Sequence, residues 1–209
     1  MTELLKDKPW VLGLLVMGVA LAGFGVWNLT SETPYEWHGA AYDPPRSGVD
    51  FTLTDTEGEP LSTTELEGKV VLLYFGYTYC PDFCPATLTD FQRIKQDLGD
   101  DADQVAFVMV TVDPERDTPE RMKEYLEFFD PTFIGLTGSE EELAPIKDQF
   151  GIISMAGDAT PQSDGDQVYW VDHSTKVYAL DKDGNLALEY AFGADPADIT
   201  EDVEHLIDS

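Results

Sequence analysis

Two runs of the chain restrict its fold more than any other feature. "VVLLYFG" (residues 70–76) and "VAFVMVTVD" (residues 105–113) are continuously apolar for six or more residues, with no polar alternation. Strands of that kind are buried on both faces, so they belong inside a sheet that is covered on both sides. The intervening sequence supplies the cover. "PATLTDFQRIKQDLG" places Leu88, Phe91, Ile94 and Leu98 at helical spacing and closes on Gly99. Thr118-Pro119-Glu120 opens a second helix, carrying Met122, Tyr125, Leu126 and Phe129, with a cap residue followed by proline at the first position. "FIGLTG" reads as a short strand, and Ser139 with Glu142 has the capping-box form that starts a third helix ending near Phe150. A strand and a short element ("FTLTD", "LSTTELEGK") come earlier. A polar stretch, "SMAGDATPQSDGDQ", then leads into "VYWVDHSTKVYALDKDGNLALEYAFG", a hairpin turned at Asp183-Gly184. Asp195-Pro196 begins the last helix, with Ile199, Val203, Leu206 and Ile207 on one face. The expected fold class is α/β, one domain over residues 49–209.

The N-terminus is of another kind. Residues 9–29, "PWVLGLLVMGVALAGFGVWNL", carry no charge, with Trp10 and Trp27 near the two ends. About 20 such residues at about 1.5 Å each span a hydrocarbon core of roughly 30 Å, longer than the apolar core of a cleaved signal peptide. Lys6 and Lys8 precede the run, and Glu32 and Glu36 follow it. The expectation is a single-pass anchor in the cell membrane, with residues 1–8 cytoplasmic and the rest of the chain on the outer side. Residues 30–48 hold three prolines and no periodicity and read as a stalk; His38 falls there.

Charge excludes one class of partner. Lys plus Arg total 12 against 41 Asp plus Glu, a formal net charge of −29. Such a surface repels phosphate backbones, which argues against nucleic acid. The acid is spread through loops and helix faces, as on a solvated surface. Only eight lysines and four arginines oppose it, a balance that suits high salt, where screening removes self-repulsion.

Cys80 and Cys84 are the only cysteines, in "YFGYTYCPDFCPATL", directly after the first buried run. A thiol between a strand and a helix N-terminus is favoured as an anion. Four positions on, the second thiol lies one turn along, about 5–6 Å away between Cβ atoms in regular helix. A disulfide needs about 3.5–4.5 Å and so a departure from helix at Pro81-Asp82-Phe83. A metal spans the wider gap. Three readings remain: a structural disulfide, whose short loop contributes little; a redox-active disulfide in thiol exchange, which prefers two intervening residues; and a soft-metal site, since two thiolates select Cu(I). The three-residue spacing favours the metal. A Cu(II) state wants an imidazole as well. His173, in "VDHST", lies within the fold, whereas His205 reads as exposed on the last helix.

Taken together, these segments resemble the Sco/SenC family, copper-handling thioredoxin-like proteins that take part in assembling cytochrome c oxidase. "YFGYTYCPDFCP" is similar to the family's copper motif, "TVDPERDTPERMKEYLEFF" and "FIGLTG" to the segments after it, and "VDHSTKVYALDKDG" to the stretch that supplies a histidine ligand. The resemblance implies a thioredoxin-like central sheet flanked by helices behind an N-terminal transmembrane helix. It implies that Cys80, Cys84 and His173 are copper ligands and that the partner is the CuA domain of oxidase subunit II. The alternative is a thiol-disulfide reductase acting on the oxidase cysteines. A peroxidase would need an arginine at the thiol, for which only Arg116 and Arg93 are candidates; a copper sensor would use the same site. Asp82 and Asp172 stand next to the ligands and could tune them. Asp113 and Asp117 match family positions, Asp117 also reading as a cap for the following helix with Thr118. Met155 is a further soft donor. Tyr79 stands where many members carry another residue, often a histidine.

Overall fold

The structure, a computed structural model, describes residues 17–18, 35–157, 160–161, 167–168 and 171–209. The chain divides into two compact units, residues 1–36 and 37–209. Apart from Met17 and Gly18, the expected anchor at residues 9–29 lies outside the described residues. Among the described residues no helix is long and apolar enough to cross a membrane.

The second unit is built on an eight-stranded sheet. Its strands are β1 (Ala40–Arg46), β2 (Thr52–Asp55), β3 (Pro60–Ser62), β4 (Val70–Gly76), β5 (Val105–Thr111), β6 (Ile134–Thr137), β11 (Val177–Leu180) and β12 (Leu186–Tyr190). They lie in the order β1-β12-β11-β4-β5-β6-β2-β3. The two apolar runs are β4 and β5, side by side and parallel from Val70↔Val105 to Gly76↔Thr111, with every residue buried. β6 continues the parallel set, and the other pairings are antiparallel.

The helices are α1 (Phe83–Leu98), α2 (Pro119–Glu127), α3 (Glu140–Phe150) and α4 (Pro196–Asp208). Along β4 the period of two sends neighbours to opposite faces. Tyr74 meets Cys84 of α1 on one face, while Phe75 meets Phe150 of α3 on the other, ring centroids 5.3 Å apart. The sheet is therefore covered on both sides, as the uncharged runs of β4 and β5 require. The predicted helix signals hold. Thr118 caps α2 by accepting from the Arg121 amide, and Ser139 and Glu142 form the capping box of α3. Asp195 caps α4 through the Ala197 amide. The β11–β12 turn closes on Gly184, at φ +78°, with Asp181 accepting from the amides of Asp183 and Asn185.

Two expectations are corrected. Residues 40–46 are not stalk: β1 pairs antiparallel with β12, Ala40 opposite Glu189. The segment is mostly exposed and carries Pro44 and Pro45, which an edge strand tolerates because one side of its backbone needs no partner. It is held by Asp202, fully buried on α4, whose carboxylate accepts from the His38 and Gly39 amides and the Tyr190 hydroxyl. The long hairpin is also shorter than expected. The stretch before Val177 leaves the main sheet as β10 (Val171–His173), which pairs with β7 (Ser154–Ala156) in a separate two-stranded sheet, His173 opposite Ser154. β8 (Thr160–Pro161) and β9 (Gln167–Val168) form another small ribbon.

Candidate functional site

Where β4 ends, Gly76 lets the chain pass close beneath the first turn of α1. A Cβ there would lie 2.6 Å from the Tyr74 ring and 2.9 Å from Cys84 Sγ. The loop then runs through Tyr77, Thr78 and Tyr79 to Cys80, and α1 begins at Phe83. Pro85 sits in the first helical turn, where no intrahelical amide bond is lost.

Cys80 and Cys84 are both free thiols and both buried, Cys84 completely. The Cys84 amide points at Cys80 Sγ, 3.5 Å away. Asp82 occupies the N-cap position but its side chain makes no capping bond and is exposed. The Cys80 sulfur takes that place at the helix N-terminus. The thiol of Cys84 donating to it, and then the amides of Cys84, Asp82 and Phe83, pull the Cys80 pKa down to about 5 against the opposing cost of burial. Burial, together with the charge on Cys80, drives Cys84 far upward. The pair at neutral pH is thus one thiolate and one thiol. The Tyr74 hydroxyl donates to Cys84 Sγ at 3.3 Å from inside the sheet.

The loop is pinned from below by Asp117. This side chain does not cap α2, as its position before Thr118 suggests; it turns inward and is fully buried. Its carboxylate accepts from the Thr78 amide (3.1 Å), the Thr78 hydroxyl (2.6 Å) and the Thr111 hydroxyl (2.7 Å). Burial raises its pKa, and those hydrogen bonds offset part of the rise. Asp113, also buried, pairs with Arg116. The Arg116 guanidinium lies 4.7 Å from the Tyr79 ring, and that of Arg121 lies 5.1 Å from the same ring while its Nε donates to the Thr78 hydroxyl. Two of the four arginines therefore stand beside the residue preceding Cys80. Arg93 is engaged instead with Asp90 on α1.

The Val171 amide, at the start of β10, donates to the Tyr77 hydroxyl at 3.3 Å, tying the strand that carries His173 to the cysteine loop. The backbone of His173 and Asp172 is thereby placed; their side chains lie outside the described residues. Met155 pairs through its backbone with Asp172 and is exposed. The other histidines are occupied elsewhere. His38 lies between Asp198 and Glu201, and His205, only partly exposed, packs edge-on against Trp37. Among the described residues no three His, Cys, Asp or Glu side chains are placed to hold a metal.

Sequence reasoning found the thiols but missed the groups that position them: Tyr74, Tyr77, Arg121 and the inward turn of Asp117. A signal existed for Tyr74, a hydroxyl inside an otherwise apolar buried run, which must find a partner.

Comparison with known proteins finds relatives of the same fold. The SCO2-like protein of Rickettsia felis is 35% identical over 205 residues, 94% of this chain and 98% of its own. The structure of Bradyrhizobium japonicum ScoI, solved with copper bound, matches with a TM-score of 0.65 at 34% identity, covering 80% of this chain and 98% of that one. The solution structure of apo Sco1 from Thermus thermophilus matches with a TM-score of 0.71 at 32% identity, over 84% and 99%. The α/β sheet with its flanking helices is thus the thioredoxin-like sheet of those structures. The SCO1/SenC family model matches residues 39–208, from β1 to the end of α4, and the chain belongs to that family.

Proposed function

We propose that this protein is a membrane-anchored copper chaperone whose cargo is held by Cys80, Cys84 and His173. The observation that carries the reading is the pair of buried sulfurs at the start of α1, Cys80 Sγ facing the Cys84 amide at 3.5 Å and Cys84 itself in the first helical turn. The donor set fits the cargo. Two thiolates suit Cu(I), and an imidazole added to them suits Cu(II). The anchoring of β10 to Tyr77 is consistent with His173 as the third donor. Asp82 and Asp172 are assigned no more than an adjusting role beside the ligands. Residues 9–29 would hold the domain on the outer side of the membrane, and residues 1–8 the cytoplasmic side. The recipient on this reading is the CuA domain of cytochrome c oxidase subunit II. Loading displaces the Cys84 proton to solvent, and delivery is ligand exchange in which the recipient's donors replace these sulfurs one at a time.

A second reading, thiol-disulfide reductase for the oxidase cysteines, draws on the unequal protonation of the pair. A thiolate that attacks and a protonated partner that resolves is what exchange requires. The two readings separate on His173. The full chain in detergent, reduced and titrated anaerobically with Cu(I) and with Cu(II), is compared with His173→Ala by sulfur-to-copper absorption and EPR. One Cu(II) bound with a strong charge-transfer band that the variant loses supports the chaperone. Failure of both forms to bind copper, with equal disulfide reduction by both, overturns it in favour of the reductase.

A further inference from the structure

Tyr74 is fully buried, and an aliphatic side chain would serve the core as well at that position, as Val70 and Leu72 do on the same face of β4. A hydroxyl taken out of water costs free energy unless a partner repays it. Tyr178, equally buried on β11, settles this in the ordinary way by donating to the Phe150 carbonyl at 3.0 Å. Tyr74 donates to Cys84 Sγ at 3.3 Å, and the Thr87 side chain also hydrogen-bonds to its hydroxyl. A neutral thiol sulfur is a weak acceptor, whereas an anionic sulfur is a strong one. The bond is therefore weak in the resting dithiol and strongest once Cys84 has given up its proton to a ligand. Gly76 lets the two groups meet, since a Cβ there would lie 2.6 Å from the Tyr74 ring and 2.9 Å from Cys84 Sγ.

We propose that Tyr74 is a positioning residue for the thiol pair, its hydroxyl fixing the Cys84 sulfur and donating to it when that sulfur carries a metal. The metal part rests on the copper reading above; the hydrogen bond itself does not. A donor to a metal-bound thiolate draws electron density from the sulfur, which moves sulfur-to-Cu(II) charge transfer to higher energy and favours the reduced metal. The same bond favours the dithiol over the disulfide, where the sulfur is a poorer acceptor.

The test compares the full chain with Tyr74→Phe, which keeps the ring and removes the hydroxyl, and with 3,5-difluorotyrosine placed at position 74, a stronger donor of nearly the same shape. Without metal, each is equilibrated with glutathione. The two protein thiols lose two electrons and two protons to one glutathione disulfide, giving one protein disulfide and two glutathione thiols. Tyr74→Phe is expected to shift this equilibrium toward the protein disulfide by roughly twofold, the low end of the range for one hydrogen bond because a neutral thiol is a weak acceptor. With Cu(II), its charge-transfer band moves to lower energy, and the fluorinated form moves the opposite way. Folded variants with the parent's equilibrium and the parent's band would overturn the proposal. Should the parent itself take no copper, the chaperone reading falls while the glutathione equilibrium still decides for or against Tyr74. If Tyr74→Phe does not fold, the sign of the fluorinated form's shift decides.

Discussion

Thr78 gives both its backbone amide and its hydroxyl to one carboxylate, that of Asp117, thirty-nine residues further along the chain. Through that contact the loop leaving β4 is fixed two residues before Cys80 by the loop leaving β5. Asp117→Asn turns an amide toward three donors and is expected to cost about 1–3 kcal/mol. Thermal unfolding reads the loss, and the loosened loop exposes Cys84 to alkylation faster than in the parent. Unchanged unfolding and unchanged alkylation would remove Asp117 from this role.

The two thiols are expected to titrate far apart. Cys80 has a pKa near about 5 in the fold against an ordinary 9.0. A depressed pKa means that the fold gains its full contribution from this thiolate above the ordinary value. That gain is lost progressively as pH falls through the window, and none remains below about 5. Iodoacetamide labelling of the reduced protein should therefore show one thiol reacting quickly at neutral pH, its rate halved only near the lower value, with Cys84 inert. Two thiols titrating together near the ordinary value would contradict this.

Gly76→Ala places a methyl group within 2.9 Å of Cys84 Sγ and closer still to the Tyr74 ring. Overpacking of this kind costs about 1–3 kcal/mol. Because the neighbour is the sulfur itself, copper uptake should fall along with the melting temperature. A variant that melts like the parent would show that the turn opens easily.

Asp202→Ala removes the common acceptor of the His38 and Gly39 amides and of the Tyr190 hydroxyl. Losing hydrogen bonds to a buried carboxylate costs about 1–3 kcal/mol. The expected outcome is cleavage between residues 36 and 46 by a protease that leaves the parent intact, with the rest of the sheet resistant. Equal resistance of the two proteins would mean that β1 is held by its ladder to β12 alone.

What was legible in the sequence had a local cause. Caps at Thr118, Ser139 and Asp195, the glycine after α1 and the uncharged runs of β4 and β5 all act within a few residues, so pattern alone exposes them. β1 was hidden because its partner is distant and its prolines look like linker. Asp117 was misread for a related reason: Asp-Thr-Pro is a good helix opening, and nothing nearby tells which of the two polar residues faces out. At the site the cysteine spacing was plain, whereas Tyr74 is the same letter whether its hydroxyl lands on a sulfur or on a carbonyl. Only the crossing from β4 through α1 decides that.

The clasp at Asp202 also has a meaning in time. It joins the His38 amide to a carboxylate 164 residues away, and among the described residues β1 has no sheet neighbour but β12. A chain made from its N-terminus presents β1 first, yet that strand cannot pair until β12 has emerged, nor be clasped until α4 has followed it. The first strand made is therefore among the last pieces of the sheet to be fixed, and the domain closes only when its C-terminal elements reach back to β1.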